Sequence, residues 1–570
     1  MSIFDLFRKK KKLSGRWEKF YKKADLNYKI PNISMYEQIK CTASKYPDYI
    51  AYRYFNTKVK YKKFLKQIDR ASLSFHKLGV KKGDIVTICL PNFPEAIICV
   101  YALNRIGAIA NMLHPLSAEE EIKQSLLSTK SIYLVCVDMH YEKIKNFIDE
   151  TFVKKTIYVS AADSMDLLLK IGYKITNSNF EKYVHNSKNM SWNSFYNLSL
   201  LMKDVRFKAY GKNTAAVILH SGGTSGTPKN VVIQNRAFIL ICKQGRVSLK
   251  NLTAGDSCLS IMPNFHGFGL GVCIHTCMVL GCTAVLIPKF DLLFEKYKPS
   301  YVLGVPTLFE ALSNCNNVKN LDLSYLKYVI SGGDTLPKKL EDKINDFLAS
   351  HNCSVKVCQG YGLSEALSAV CLACDDLNKS GSIGIPLIGN HIKIIDSNRK
   401  EVAPGVTGEI CVHSLALMMG YLNNESETNS ALQVHGDGHI WLHTGDLGYM
   451  DEDGYVYYVG RAKRMIVTSG YNVYPSHVEE VIESHPAVLQ CSVVGVPHPY
   501  KQEVGKAFIV LNDGYNKLFI KSQIKDYCRK KLAHYMVPHD FVIRKKLPKT
   551  KLGKVDFNKL KTDTAGDDEW

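Results

Sequence analysis

From residue 32 to about residue 290, short apolar runs alternate with amphipathic helical patterns, and this alternation is the tightest constraint on the fold. Residues 85–90 read as a buried strand. Pro94 then introduces a helix over 95–106, Ser117 with Glu120 forms a capping-box start for the next helix, and 132–137 is strand-like again. Strands that alternate with helices pair mostly in parallel, so an α/β body is expected. Its 570 residues exceed one compact unit, so at least one further domain is expected.

The texture changes twice. Residues 160–212 are rich in Asn, Ser, Lys and Tyr around an isolated amphipathic patch at 165–175, which reads as a peripheral insertion. Near residue 460 a strand-like run ends in Gly460, and the basic residues Arg461, Lys463 and Arg464 follow. A smaller unit comes next: Ser476 with Glu479 caps a helix through His485, 489–496 and 508–511 are strand-like, and 520–531 is helical. The expected layout is a loosely attached basic arm at 1–25 and a large body at 26–463 with mostly parallel sheets and helices. A small α+β C-terminal domain at 464–560, able to rotate about a hinge, and a polar tail at 561–570 complete it.

Composition excludes several classes. Hydrophobic residues at 46% and charged residues at 22% fit a folded protein and exclude wholesale disorder or a collagen-like chain. The formal charge of +21 calls for an anionic partner or a lysine-rich surface. The nucleic-acid option has no motif to support it. Residues 1–23 carry nine basic and two acidic residues, and Phe4, Leu6 and Phe7 stand beside the run at 8–12. Such an arm suits either an anionic bilayer or solvent. No apolar leader follows the basic run, and the 17 cysteines have no repeated spacing. The one CxxC, Cys371–Cys374, lacks a second pair to complete a zinc site. A cytoplasmic protein, peripheral on the inner membrane face if the arm binds lipid, is expected. Residues 267–288 contain no Asp, Glu, Lys or Arg, but Gly267, Gly269, Gly271, Gly281 and His275 favour a buried helix and strand over a membrane span.

The most specific string is Ser221-Gly222-Gly223-Thr224-Ser225-Gly226-Thr227-Pro228-Lys229, which follows the apolar run 215–219. Glycines and small hydroxyls after a strand can wrap a polyphosphate through backbone N–H groups. No Gly-Lys-Ser/Thr closes it, so it is not a Walker A loop, and by composition alone it could be a plain turn. The full string resembles the phosphate loop of the adenylate-forming enzymes: acyl-CoA synthetases, amino-acid adenylation domains and luciferases. The resemblance continues in order through Gly332-Gly333-Asp334, Gln359-Gly360-Tyr361-Gly362-Leu363-Ser364-Glu365 and Thr444-Gly445-Asp446. It ends with the Gly460-to-Arg464 segment and with Leu547 to Lys554. Within it, the string from Met465 to Pro475 looks most like bacterial long-chain fatty-acyl-CoA synthetases.

The resemblance implies attack of a carboxylate on the α-phosphate of ATP, then transfer of the acyl group to the thiol of CoA. Charge develops on phosphoryl oxygens, so cations and N–H donors matter more than a general base. By the same resemblance, Thr224 and Glu365 hold Mg²⁺, Lys229 and the loop from Ser221 to Gly226 face the phosphates, and Ser364 donates to the α-phosphate. Gln359, Gly360, Tyr361, Gly332, Gly333 and Asp334 flank the adenine. Asp446 and Arg461 hold the ribose, with Lys463 beside them. Lys554 bridges the attacking carboxylate and the α-phosphate, and Arg464 is the hinge. Ser469, Gly470 and Tyr471 line the thiol tunnel. Ser225 and Ser364 replace the usual threonine, and Asn230 replaces a usual glycine, which requires a positive φ there if the family turn is kept.

Amino-acid-activating members place an aspartate where this chain has His266, so an α-amino acid is disfavoured. His266, Gly267, Gly269 and Gly304 would line an apolar acyl channel, although the glycines equally suit tight helix packing. A medium- or long-chain fatty acid is the expected substrate. The alternative is an acyl- or aryl-acid ligase that loads a carrier-protein thiol in trans. The resemblance leaves a homodimer open.

Overall fold

A computed structural model describes residues 12–176, 187–202, 205–221, 229–286, 293–314, 321–468, 471–515, 519–550 and 554–563. Four sheets organise them. The first has the spatial order Gly420–Tyr421, Lys229–Gln234, Ala215–Ser221, Ile109–Met112, Ile85–Cys89, Tyr133–Val137, Lys155–Val159, Asn189–Ser191. It is parallel from Ala215–Ser221 onward and antiparallel at the Lys229–Gln234 edge. The second sheet has a parallel centre: Val357–Gly362, Tyr328–Gly332, Tyr301–Gly304, Ser257–Leu259, Thr283–Val285 and Ile50–Tyr54. Short antiparallel strands close its edges. These apolar runs are buried on both faces because helices cover the sheets, as parallel pairing demands. Helix Pro94–Ile106 is buried almost throughout, with proline at its first turn.

The body is not uniformly of this kind. The third sheet, built from Asn390–Ile395, Gly408–Ser414, Ile440–Met450, Leu432–Val434 and Val456–Arg461, is wholly antiparallel. The one helix between its strands, Glu425–Ala431, is too short for a parallel crossover. The fourth sheet pairs Ile466–Thr468, Tyr471–Val473, Val488–His498, Gln502–Leu511 and Asp540–Ile543. Helices Pro475–Glu483 and Ile520–Lys531 pack on it to give a small α+β unit. The buried pair Arg544–Asp563, 2.9 Å apart, secures the chain just before Leu547.

Several local expectations change. Helix Glu119–Thr129 starts after Ala118, whose N–H donates to Glu121, while Glu120 accepts from Gln124; three consecutive acids let the cap slide by one residue. Pro475 opens helix Pro475–Glu483, so Ser476 is already inside it and donates to the Val459 carbonyl, and Glu479 takes Arg464 instead of closing a capping box. The segment after residue 160 is only half peripheral. Helix Leu167–Thr176 exposes Leu167, Leu168, Ile171 and Ile175, but Asn189–Ser191 joins the first sheet, and Trp192 and Phe195 are buried.

The N-terminal arm is not loose where it is described. Trp17 is buried with Ile385 and Tyr455, Tyr21 donates to the Pro386 carbonyl, and Lys19 and Asp25 pair with Asp453 and Lys243. Phe4, Leu6, Phe7 and the basic residues through Lys11 lie outside the described residues. The uncharged stretch from 267 folds as a buried π-helical segment Phe268–Thr276, a turn of α-helix and the strand Thr283–Val285. Among the described residues no helix is long and apolar enough to cross a membrane.

Candidate active site

The carboxyl ends of strands from three sheets converge with the small unit. Gly332 and Gly360 are register partners on adjacent parallel strands, and Tyr361 follows directly on the second. The next residue, Gly333, has φ +79, a conformation that favours glycine, and its carbonyl accepts from the Lys554 ammonium at 2.5 Å. The C-terminal lysine motif thus reaches the nucleotide-side motif of the body. Asp334 is exposed beside this point.

The third sheet supplies the opposite wall. Asp446 and Arg461 are register partners on antiparallel strands, and the guanidinium Nε lies 2.9 Å from the carboxylate. Asp446 is buried, and the Tyr361 hydroxyl donates to its other oxygen at 2.6 Å. Burial raises the Asp446 carboxyl above its usual range, while Arg461 and the Tyr361 hydrogen bond pull it back down. Arg461, Asp446 and Tyr361 therefore form one group, with Tyr458 at 6.3 Å between ring centres. Gln359 lies on the same strand as Tyr361.

The 3-10 turn Ser364–Ala366 carries the next pair of residues. Glu365 accepts from the Tyr421 hydroxyl at 2.9 Å through its side chain and from Met418 N–H through its carbonyl. Ser221 ends its strand opposite Lys229. Lys229 pairs with Glu427 at 2.5 Å and lies over the Tyr421 ring. Lys463 acts on Glu427 from the same side. Gly222, Gly223, Thr224, Ser225 and Gly226 lie outside the described residues, as do Ser469 and Gly470. Asn230 is extended within strand Lys229–Gln234 and donates to Ser128, so the positive φ required for a family-like turn is not used there.

His266 is half-buried against Phe265, whose ring centre lies 4.4 Å from that of His114. Burial, then the charges of His114 and Lys554, lower the His266 imidazole to about 4. A third histidine, His220, precedes the glycine loop. The Asn111 amide donates to Thr87 and Ser125, so its oxygen accepts from His220 Nε2–H at 2.9 Å, and burial lowers this ring to about 4 as well. His266 and His220 thus stay neutral at pH 7.

The glycines here serve packing. A Cβ at Gly267 would overlap the Leu367 carbonyl, and one at Gly269 would overlap the Pro263 carbonyl. Leu367 is itself in a left-handed conformation, φ 66 and ψ −35, which points its carbonyl at Gly267. Gly304 differs, because a Cβ there would meet only the movable end of Leu308 and, at 3.3 Å, Phe309.

Two expected residues belong to the small unit alone. Arg464 pairs with Glu479 at 2.6 Å, reaches the Val493 carbonyl and lies 3.7 Å over the Phe557 ring. Tyr471 is exposed and stacks on Tyr535 at 4.5 Å. Sequence reasoning missed Tyr421, Glu427, Tyr458, His114 and His220, none of which falls in a recognised motif. The only signal was the position of His220, directly before Ser221.

A family model described as "AMP-binding enzyme" matches residues 39–422, and one described as "AMP-binding enzyme C-terminal domain" matches 477–554. The chain is 31% identical over 541 residues to a long-chain-fatty-acid–CoA ligase of Bacillus subtilis (strain 168), covering 92% of this chain and 94% of that one. It is 28% identical to a long-chain-fatty-acid–CoA ligase of Escherichia coli O157:H7, with 94% of each chain covered. The crystal structure of an anthranilate CoA ligase in complex with anthranoyl-AMP shares the fold at TM-score 0.81 and 21% identity, covering 94% of this chain and 98% of that one.

Proposed function

The chain belongs to the AMP-binding enzyme family, and on that footing we propose that it is a fatty-acyl-CoA synthetase acting on medium- or long-chain acids. The family reaction is two-step. A carboxylate attacks the α-phosphate of ATP, forming an acyl adenylate and releasing pyrophosphate; a thiol then attacks the acyl carbon and releases AMP.

The observation that carries this reading is Lys554 donating to Gly333. Attack on a phosphate by a carboxylate brings two anions together, and an ammonium at that point neutralises both. The Asp446 carboxylate, already paired with Arg461, accepts from ribose hydroxyls, and the Tyr361 ring lies along the adenine. Glu365 and Thr224 offer the oxygen donors that Mg²⁺ prefers, and the cation, when bound, offsets charge on the phosphates. Tyr421 orients the Glu365 carboxylate for that task. Neutral His266 beside Phe265 stands where amino-acid-activating members carry an aspartate, which supports an acid without an α-amino group.

Incubation with ATP, Mg²⁺ and a panel of acids, with and without CoA, tests this through AMP release. CoA-dependent turnover that peaks with long saturated acids is expected. Turnover confined to aryl or short acids, or adenylate that waits for a carrier protein, would overturn it. We further propose that the basic run at 8–12 meets the anionic bilayer that holds the acid, which vesicle co-sedimentation with and without residues 1–11 tests.

A further inference from the structure

The third sheet carries a second cluster of reactive groups beside the Thr444-Gly445-Asp446 stretch of its strand Ile440–Met450. Alternation along Gly408–Ser414 puts Glu409 and Cys411 on one face, and the register sets Cys411 opposite His443. His443 Nδ1 lies 2.9 Å from a Glu409 carboxylate oxygen and 3.7 Å from the Cys411 sulfur. The three ligand atoms are all within 4.8 Å of one another.

We propose that Glu409, Cys411 and His443 form a binding site for a thiophilic divalent cation of the zinc class, separate from the Mg²⁺ of the nucleotide. One sulfur, one nitrogen and one oxygen donor is a set such ions accept, with the fourth position left to water. A tetrahedral zinc with ordinary bond lengths places nitrogen about 3.4 Å from oxygen and about 3.6 Å from sulfur. The observed separations, 2.9 and 3.7 Å, need only a small withdrawal of the carboxylate. The Cys411 side chain is fully buried, whereas Glu409 is 26% exposed and opens the way in.

An independent feature supports the site. The other nitrogen of His443, Nε2, lies 3.0 Å from Nε2 of His435. Ligating histidines characteristically give their second N–H to an outer partner that fixes the ring. Without a cation, Nδ1–H donates to Glu409 and His435 donates to Nε2. With one, Nδ1 becomes the ligand, its proton moves to Nε2 and is donated to His435, and the His435 proton shifts to its own Nδ1. The imidazole protons are conserved in number, and the Cys411 thiol releases its proton to solvent, one per cation. The neighbouring Lys393 is neutralised by Asp437 at 3.1 Å and lies over the Trp441 ring.

The site would tie down the nucleotide turn. Glu409 already accepts from Gly445 N–H at 3.0 Å, and His443 immediately precedes Thr444. A cation joining them braces both ends of the segment that positions Asp446.

Cobalt(II) alone, titrated into the full-length protein, tests the site. A thiolate-to-cobalt absorption band saturating at one equivalent is expected, and Cys411→Ser should abolish it. His435→Ala should weaken Co²⁺ affinity roughly 10–100-fold. Zn²⁺ should raise the Tm of the wild type and leave that of C411S unmoved. No band in the wild type, a band that survives in C411S, or equal Tm shifts in both would overturn the proposal.

Discussion

Lys554 donates to the Gly333 carbonyl across 221 positions of sequence, joining the last motif of the small unit to a backbone oxygen of the body. A carbonyl oxygen carries no formal charge, so this contact does not set an anion against the role proposed for the lysine.

Lys554→Ala is therefore expected to lower the adenylation rate by roughly 10²–10³-fold. Thiolysis of a supplied acyl adenylate should be nearly unchanged. Pyrophosphate exchange and single-turnover thioester formation separate the two steps. Equal loss in both would mean that the residue serves only to dock the small unit.

Tyr421→Phe removes the hydroxyl that donates to Glu365 and keeps the ring under Lys229. The Mg²⁺ concentration giving half-maximal rate should rise severalfold, with little change at saturating Mg²⁺. A steady-state Mg²⁺ titration at fixed ATP checks this.

Gly267→Ala and Gly304→Ala should diverge. The first drives a methyl into the Leu367 carbonyl and should cost stability, lowering the Tm whatever the substrate. The second meets only side chains, the end of Leu308 and the Phe309 ring edge, and should cost the Tm less while shifting preference toward shorter acids. Melting curves and a chain-length panel on both variants read the difference.

The motifs were legible because each concentrates its chemistry in a few consecutive residues, and Asp446 and Arg461 became recognisable before their strands were known to pair. Tyr421 and Glu427 were not legible, because their roles arise only when a short edge strand returns to Lys229–Gln234. His114 and His220 were hidden similarly: a lone histidine has no signature, and only the fold brings them beside His266. Glu479 read as a helix cap because sequence could not show Arg464 competing for it. The alternation that announced a parallel body was silent on the antiparallel third sheet, whose strands also carry strong apolar runs.

Acid should destabilise the protein through its buried imidazoles. His275 accepts from Tyr101 and donates to Gln38, and burial lowers it to about 3. Between pH 6.5 and about 3 the unfolded chain holds a proton that the folded one refuses, so stability falls as pH falls. His275→Gln should flatten the loss between pH 7 and 5 in urea midpoints, whatever its effect at pH 7. An unchanged slope would remove His275 from the account.

Asp563→Ala removes the carboxylate that pairs with buried Arg544, which costs about 3–5 kcal/mol. The small unit should melt first, and adenylation should fail with it because Lys554 loses its support. Arg544→Met with Asp563→Leu should restore most of the stability. Differential scanning calorimetry of the three proteins decides it.

Trp17 bridges Ile385 of the second sheet and Tyr455 beside the third. It works as a rivet through a seam, since Tyr361 and Asp446, which are hydrogen-bonded to each other and proposed to hold the adenine and the ribose of one nucleotide, lie on opposite sides of that seam. A fusion partner placed before residue 12 should therefore load nothing. A cut beyond Trp17 should loosen the joint between the two walls of the proposed nucleotide site, without removing any residue proposed to touch the nucleotide.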